Sequence, residues 1–133
     1  MDAFLGGWTL ESSEQMDAFL TYYGLSFLKR KVALISSVDL AFEKTSHNAM
    51  KRTIDSTFMQ TEELYTFDGR FHANDAGFNK KHCFASTGIK TEVKNSSLGW
   101  SEVISLENDK LVVRRKWFDN ATNHTCEQIF ARK

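Results

Sequence analysis

Residues 15–36 read QMDAFLTYYGLSFLKRKVALIS. Within them Met16, Phe19, Leu20 and Tyr23 recur at spacings of three and four, which puts their side chains on one face of an α-helix. Ser12 and Ser13, with Glu14 and Gln15, offer cap chemistry at the start of that helix, and Gly24 offers the residue that ends it. Phe27, Leu28, Val32, Leu34 and Ile35 form a second periodic set, with Lys29-Arg30-Lys31 between them. The stretch therefore predicts a helix–turn–helix.

Outside this stretch the pattern changes. Proline is absent, so turns must come from Gly, Asn, Asp and Ser. Candidate turns are Asp68-Gly69, Asn74-Asp75, Gly88, Asn95-Ser96-Ser97, Asn108-Asp109 and Asp119-Asn120. Between them lie short β-rich runs such as Val103-Ile104-Ser105-Leu106 and Leu111-Val112-Val113. Glu63 and Tyr65 read as inward-facing, Leu64 as outward-facing, and Phe67 and Phe71 continue the Tyr65 parity. The fold expected is all-β and antiparallel, with one strand before the helices and about nine after them. A closed barrel has no edges to guard, and no proline guards one here. A barrel of this size encloses one small ligand, and the helices are placed to close its mouth.

Composition narrows the function classes. A chain of 133 residues fits one domain, taken as 1–133, and 41% hydrophobic residues suffice for a core. Seventeen basic residues balance 17 acidic ones, which argues against nucleic-acid binding through a global positive field. The opening MDAFLGGWTLESSEQ has no apolar run of signal-peptide length, and no stretch reaches a membrane span, so a cytoplasmic location is expected. Cys83 and Cys126 read as free thiols, and the sequons at Asn95, Asn120 and Asn123 as chance matches. His47, His72, His82 and His124 lack zinc-ligand spacing, and no Gly-rich phosphate loop occurs, so neither metal nor cofactor is expected. Cys126 and His124 share a strand face with Asp119 nearby, but nothing supplies an oxyanion site, and no catalysis is expected.

The N-terminal run Phe4-Leu5-Gly6-Gly7-Trp8-Thr9-Leu10-Glu11-Ser12-Ser13 resembles the opening FxGxWxLxxS of the intracellular lipid-binding proteins, the fatty-acid- and retinoid-binding family. Gly24-Leu25-Ser26-Phe27 with Arg30-Lys31 resembles the family's helix–turn–helix. Ser56-Thr57-Phe58 with Thr61-Glu62 resembles its "STF…TE" strands, and Asp68-Gly69-Arg70-Phe71 sits near its "LGxxF" turn. Cys126-Glu127-Gln128-Ile129-Phe130 sits where the family ends in a pattern like "CTRTY". The resemblance covers essentially the whole chain. It implies a ten-stranded β-clam with a two-helix portal, a monomer that holds a fatty acid or similar lipid and has no enzymatic activity.

The departures concern the ligand's head. The family's usual carboxylate anchors are an Arg and a Tyr on the last strand and an Arg two strands earlier. Those positions fall on Gln128, Phe130 and, nearby, Ile104. A Gln in the last-strand place also resembles the retinol-binding branch, whose ligand is neutral. Val113, Arg115 and Trp117 share the inward parity on the preceding strand, so Arg115 is a candidate for the missing charge. The alternative is a bulge or register shift that turns Arg115 out beside Arg114 and Lys116.

Met16, Phe58, Tyr65, Trp117, Ile104, Arg115, Gln128 and Phe130 are accordingly expected at the ligand, with Phe58 as a gate. Phe27, Val32, Lys29, Arg30 and Lys31 are expected at the portal, where the basic run meets anionic membrane surfaces, forms a nuclear-import signal in three dimensions, or is an ordinary solvated face. Asp17 and Thr21 on the first helix add no positive charge. Two functions compete. One is a carrier of a fatty acid or other hydrophobic molecule, in which burial of about sixteen carbons supplies on the order of 10 kcal/mol gross. The other is an interaction module that kept the fold and lost the ligand, with Trp100 or Trp117 filling the interior. The volume of the interior separates them.

Overall fold

The structure, a computed structural model, describes residues 1–57, 59–74 and 76–133. Phe58, the expected gate, and Asp75, half of an expected turn, lie outside the described residues.

A 3-10 turn, Asp2–Phe4, leads into β1 (Gly6–Glu14), followed by α1 (Met16–Tyr23) and α2 (Phe27–Ile35). Then come β2 (Val38–Ser46), β3 (Ala49–Ser56), β4 (Gln60–Thr66), β5 (Phe71–Ala73) and β6 (Asn79–Ala85). The chain closes with β7 (Gly88–Lys94), β8 (Gly99–Glu107), β9 (Lys110–Asp119) and β10 (Thr122–Arg132). The ten strands form one antiparallel sheet in the order β4-β3-β2-β1-β10-β9-β8-β7-β6-β5. This is the expected all-β barrel with a helix–turn–helix lid.

Short turns set the registers. Asn108-Asp109 and Asn120-Ala121 all have positive φ, the geometry of tight hairpins that match strand twist. The second turn lies one residue beyond the expected Asp119-Asn120, because Asp119 still pairs with Thr122. Gly88 is not a turn residue. It opens β7 with φ +132, and a Cβ there would sit 2.0 Å from the Ile104 carbonyl oxygen, so glycine permits β7 to close on β8. β9 carries no register shift against either neighbour. Alternation along it therefore turns Val113, Arg115 and Trp117 to one side and Arg114 and Lys116 to the other, which removes the bulge alternative.

The helices differ in how they are held. Ser12, Ser13 and Glu14 belong to β1, so the expected N-terminal cap is not made; Gln15 occupies the cap position with φ 62 and no side-chain bond. At the other end Gly24, φ 106, donates to the Leu20 and Thr21 carbonyls, and Leu25 N–H returns to Leu20, a Schellman-type close. Phe19 pins α1 down, its ring edge-on to Trp100 at 5.3 Å and Trp117 at 5.4 Å. Tyr22 Oη adds a bond to the Gly99 carbonyl at 2.9 Å and accepts from Gly99 N–H at 3.1 Å. In contrast α2 contains no buried residue, and Phe27, Leu28 and Ile35 are strongly exposed. Few buried apolar contacts mark α2 as the part of the lid with least to lose on opening.

The main core gathers Phe4, Trp8, Leu40, Phe42, Met50, Tyr65, Ile89, Ile104, Leu111, Val113 and Phe130 at one end of the barrel. A second cluster joins Phe19, Trp117 and Cys126 beneath α1. Phe71 does not continue the Tyr65 parity. It pairs with Lys81, its ring lies 4.1 Å from Lys94 Nζ, and it faces outward, because the intervening turn at Asp68-Gly69 resets alternation.

Candidate ligand-binding site

Between the core and the lid lies a cavity of about 600 Å³. Its wall is largely apolar and is supplied by both helices and by β1, β2, β3, β9 and β10, with Leu10, Met16, Leu20, Val32, Leu40, Ile54 and Phe130 among its residues. Three long polar side chains reach it, Arg52, Arg115 and Gln128, together with Lys29 at the lid.

Arg115 is placed inward by strand alternation and then held there. Its Nε lies 2.9 Å from Glu102 Oε2, and its Nη1 donates to Gln128 Oε1 at 2.9 Å. The guanidinium carbon lies 5.3 Å from the Phe19 ring, so the residue that fixes α1 also packs against the charge. The outward neighbour Arg114 is engaged elsewhere, with Glu107 and with Glu127.

Glu102 is the start of a chain of alternating charges. Its Oε1 accepts from Arg52 Nη1 at 3.4 Å, Arg52 Nη2 donates to Glu63 Oε2 at 2.6 Å, and Glu63 Oε1 accepts from Lys80 Nζ at 2.5 Å. Arg52 and Glu102 are each about 8% exposed. Burial opposes charge on Glu102, but Arg115 and Arg52 outweigh it and hold the carboxyl below its ordinary value. Arg52 Nε, buried without a hydrogen-bond partner among the described residues, marks how tightly this guanidinium is enclosed; its face lies 5.3 Å from the Tyr65 ring. His82 closes the far end, stacked on Tyr65 and bonded through Nδ1 to Thr91 Oγ1 at 2.7 Å. Burial lowers His82 to about 4, so it is neutral at pH 7. The ordered charges are then Arg115, Arg52 and Lys80 against Glu63 and Glu102, three cations to two carboxylates, leaving one positive charge.

Of the residues expected at the ligand, Met16, Arg115, Gln128 and Phe130 line the cavity. Tyr65, Ile104 and Trp117 do not. Tyr65 and Ile104 are fully buried in the main core, and Trp117 packs under α1 against Phe19 and Tyr22. Of the expected portal residues, Val32 and Lys29 line the cavity from α2, Phe27 and Lys31 are exposed on the lid, and Arg30 is half-buried between the two helices. Arg30 is spent on Asp17 at 2.9 Å and the Leu25 carbonyl, and Lys31 Nζ sits 5.2 Å from the Phe27 ring. Arg52 and Glu102 are the site residues that sequence reasoning missed. The available signal was parity: Arg52 alternates with buried Met50 and with Ile54, and Glu102 with buried Ile104.

The Cys126, His124 and Asp119 group does not assemble as a nucleophilic centre. His124 stacks on Trp117 at 5.4 Å with its Nε2 3.3 Å from the Asp119 carbonyl, and burial pushes the Cys126 thiol up.

Comparison with known proteins gives a consistent result. No family model matches the chain. It is 33% identical over 115 residues to a protein named fatty acid-binding protein type 3 from Fasciola hepatica, covering 86% of this chain and 81% of that one. It is 35% identical over 71 residues to a fatty acid-binding protein from Clonorchis sinensis, a match spanning 53% of each. Among solved structures, apo lipid binding protein 8 of Caenorhabditis elegans superposes with a TM-score of 0.88 at 21% identity, over 100% of this chain and 97% of that one. Fatty-acid-binding protein 1 of Echinococcus granulosus does so at 0.85 and 20%, over 99% and 98%. The Schistosoma mansoni fatty acid binding protein, solved with arachidonic acid, gives 0.82 at 19% identity, over 100% and 98%. These structural matches establish the shared barrel, and with the Fasciola sequence match they show that the chain belongs to the fatty-acid-binding protein family.

Proposed function

We propose that this chain binds one long-chain fatty acid, or a closely related hydrophobic ligand, inside the barrel and carries it through the cytosol as a monomer without reacting with it. The observation that carries the reading is the Arg115 guanidinium facing an apolar cavity of about 600 Å³. That volume is within the usual range for small-molecule sites. It favours a carrier over an interaction module, since Trp100 and Trp117 pack beneath α1 and leave the cavity open.

The division of labour follows from magnitudes. Burying the alkyl chain supplies affinity on the order of 10 kcal/mol before ordering costs. The head contributes orientation: Arg115 and Gln128 offer charge-assisted and neutral hydrogen bonds where an unpaired buried carboxylate would cost several kcal/mol. Loading requires displacement of α2, whose inner face carries Val32 and whose outer face carries Phe27 and Lys31. Such lid motions fall in the microsecond-to-millisecond range. The outer face suits transient contact with a membrane surface. No helix among the described residues is long and apolar enough to cross one.

Native mass spectrometry of the purified protein, followed by organic extraction, tests this reading. One lipid released on denaturation is expected. An empty protein that also fails to bind oleate or retinol in titration overturns it and leaves the interaction module.

A further inference from the structure

The alternating chain Lys80, Glu63, Arg52, Glu102, Arg115 has a cation at each end. Its two ends meet different surroundings. Lys80 lies away from the cavity lining, at the seam between β4 and β6, where it pairs with Glu63. Arg115, 15% exposed, ends the chain at the apolar cavity. The surplus positive charge is therefore felt most by whatever head group occupies the cavity. Glu102 decides its size there, because among the described residues it is the carboxylate that pairs with both Arg115 and Arg52. With Glu102 ionised the two guanidiniums present a net charge of one. Without it they would present two, close together in a poorly solvated site where charge imbalance is expensive.

We infer that Glu102 is a specificity-determining positioning residue, which acts through Arg115 to select ligands whose head carries a single negative charge over doubly charged ones. The inference rests on the fatty-acid reading and adds to it the head-charge rule. A monoanion cancels the surplus. A neutral head leaves the network's surplus charge unbalanced, and a dianion leaves a buried negative charge. Gln128, bonded to Arg115 Nη1 at 2.9 Å, reports on the same count from the other side, since converting it to a carboxylate removes the surplus without disturbing Arg52.

The test compares three sixteen-carbon probes at pH 8: palmitate, hexadecanol and hexadecyl phosphate, the last a dianion because its second ionisation lies near pH 6. The protein with Glu102 intact should prefer palmitate to hexadecyl phosphate. Glu102→Gln should move the ratio of the two affinities toward the phosphate by about tenfold or more, the scale of one charge-assisted hydrogen bond. Gln128→Glu should weaken palmitate by about tenfold while hexadecanol changes little. A merely structural role for Glu102 would shift all three probes in parallel, and an unchanged palmitate-to-phosphate ratio overturns the inference. Should Glu102→Gln fail to fold, Gln128→Glu still decides: palmitate affinity equal to that of the unmodified protein overturns it. If the unmodified protein binds none of the three, the fatty-acid reading falls and the head-charge rule with it. Palmitate binding with an unmoved ratio sinks only the rule.

Discussion

The rings of Tyr65 on β4 and His82 on β6 stack with centroids 4.2 Å apart and planes 18° from parallel. They do so across the place where, among the described residues, the consecutive strands β4 and β5 are not hydrogen-bonded to each other. With Lys80 and Glu63 beside them, they close the barrel by side chains where the backbone ladder is open. A seam held this way depends on protonation, and a backbone ladder does not.

His82 is the group that senses pH. Its folded value lies near 4, lowered from 6.5 by burial, with Lys80 and Arg52 lowering it further and Glu63 and Glu102 opposing. The unfolded chain therefore takes up a proton near pH 6.5 that the folded chain refuses until about pH 4. The stability contribution is complete above pH 6.5 and is lost as pH falls from there to about 4, by up to about 3 kcal/mol. Urea melts at pH 7, 5.5 and 4 should show that loss. His82→Phe, which keeps a ring against Tyr65, should flatten it.

Arg115→Ala should weaken fatty-acid binding by about tenfold or more, since a hydrogen bond to a charged group contributes roughly 1.5–3 kcal/mol. Hexadecanol, which brings no charge, should lose less. Calorimetric titration of both ligands checks the difference, and equal losses would mean that Arg115 supports the wall and does not hold the head.

Phe19→Ala should cost about 3–5 kcal/mol of stability, the range for emptying an aromatic site. The ring packs on Trp100 and Trp117 and is 5% exposed, so its loss also unpins α1. Denaturant unfolding measures the stability, and amide exchange over Met16–Tyr23 should rise more than over β9 and β10.

Gly88→Ala should be among the most damaging single changes to the barrel wall. The added Cβ would fall 2.0 Å from a backbone oxygen that cannot swing away, at a φ of +132 that L-residues avoid. A loss of about 4 kcal/mol or more, or failure to express as a folded protein, is expected, and circular dichroism with thermal melting reads it.

Local rules were legible in the sequence because they concern near neighbours. The 3.6-residue period marked both helices, and Gly24 ended the first as its missing Cβ allows. Alternation within one strand put Leu64 outward and placed Val113, Arg115 and Trp117 on one face of β9. Those same rules stopped at turns. Phe71 lost its parity across Asp68-Gly69, and Ser12 and Ser13 were drawn from a helix cap into β1 by pairing with β10.

What only the tertiary structure decided is depth and partnership. Tyr65, Ile104 and Arg115 all face inward, yet the first two are core and the third meets the cavity, because height along a barrel is set by what the other strands bring opposite. Arg52 and Glu102 are 50 residues apart in the chain and read separately as stray charges in apolar alternation. Their meaning comes from the closure of β1 onto β10, which brings β3 and β8 round to face each other across the barrel. In that poorly solvated interior the two charges are tolerated because they pair with each other and with Glu63 and Arg115. Parity along a strand is a property of the sequence, whereas the pairing of charges across a barrel exists only once the sheet has curled.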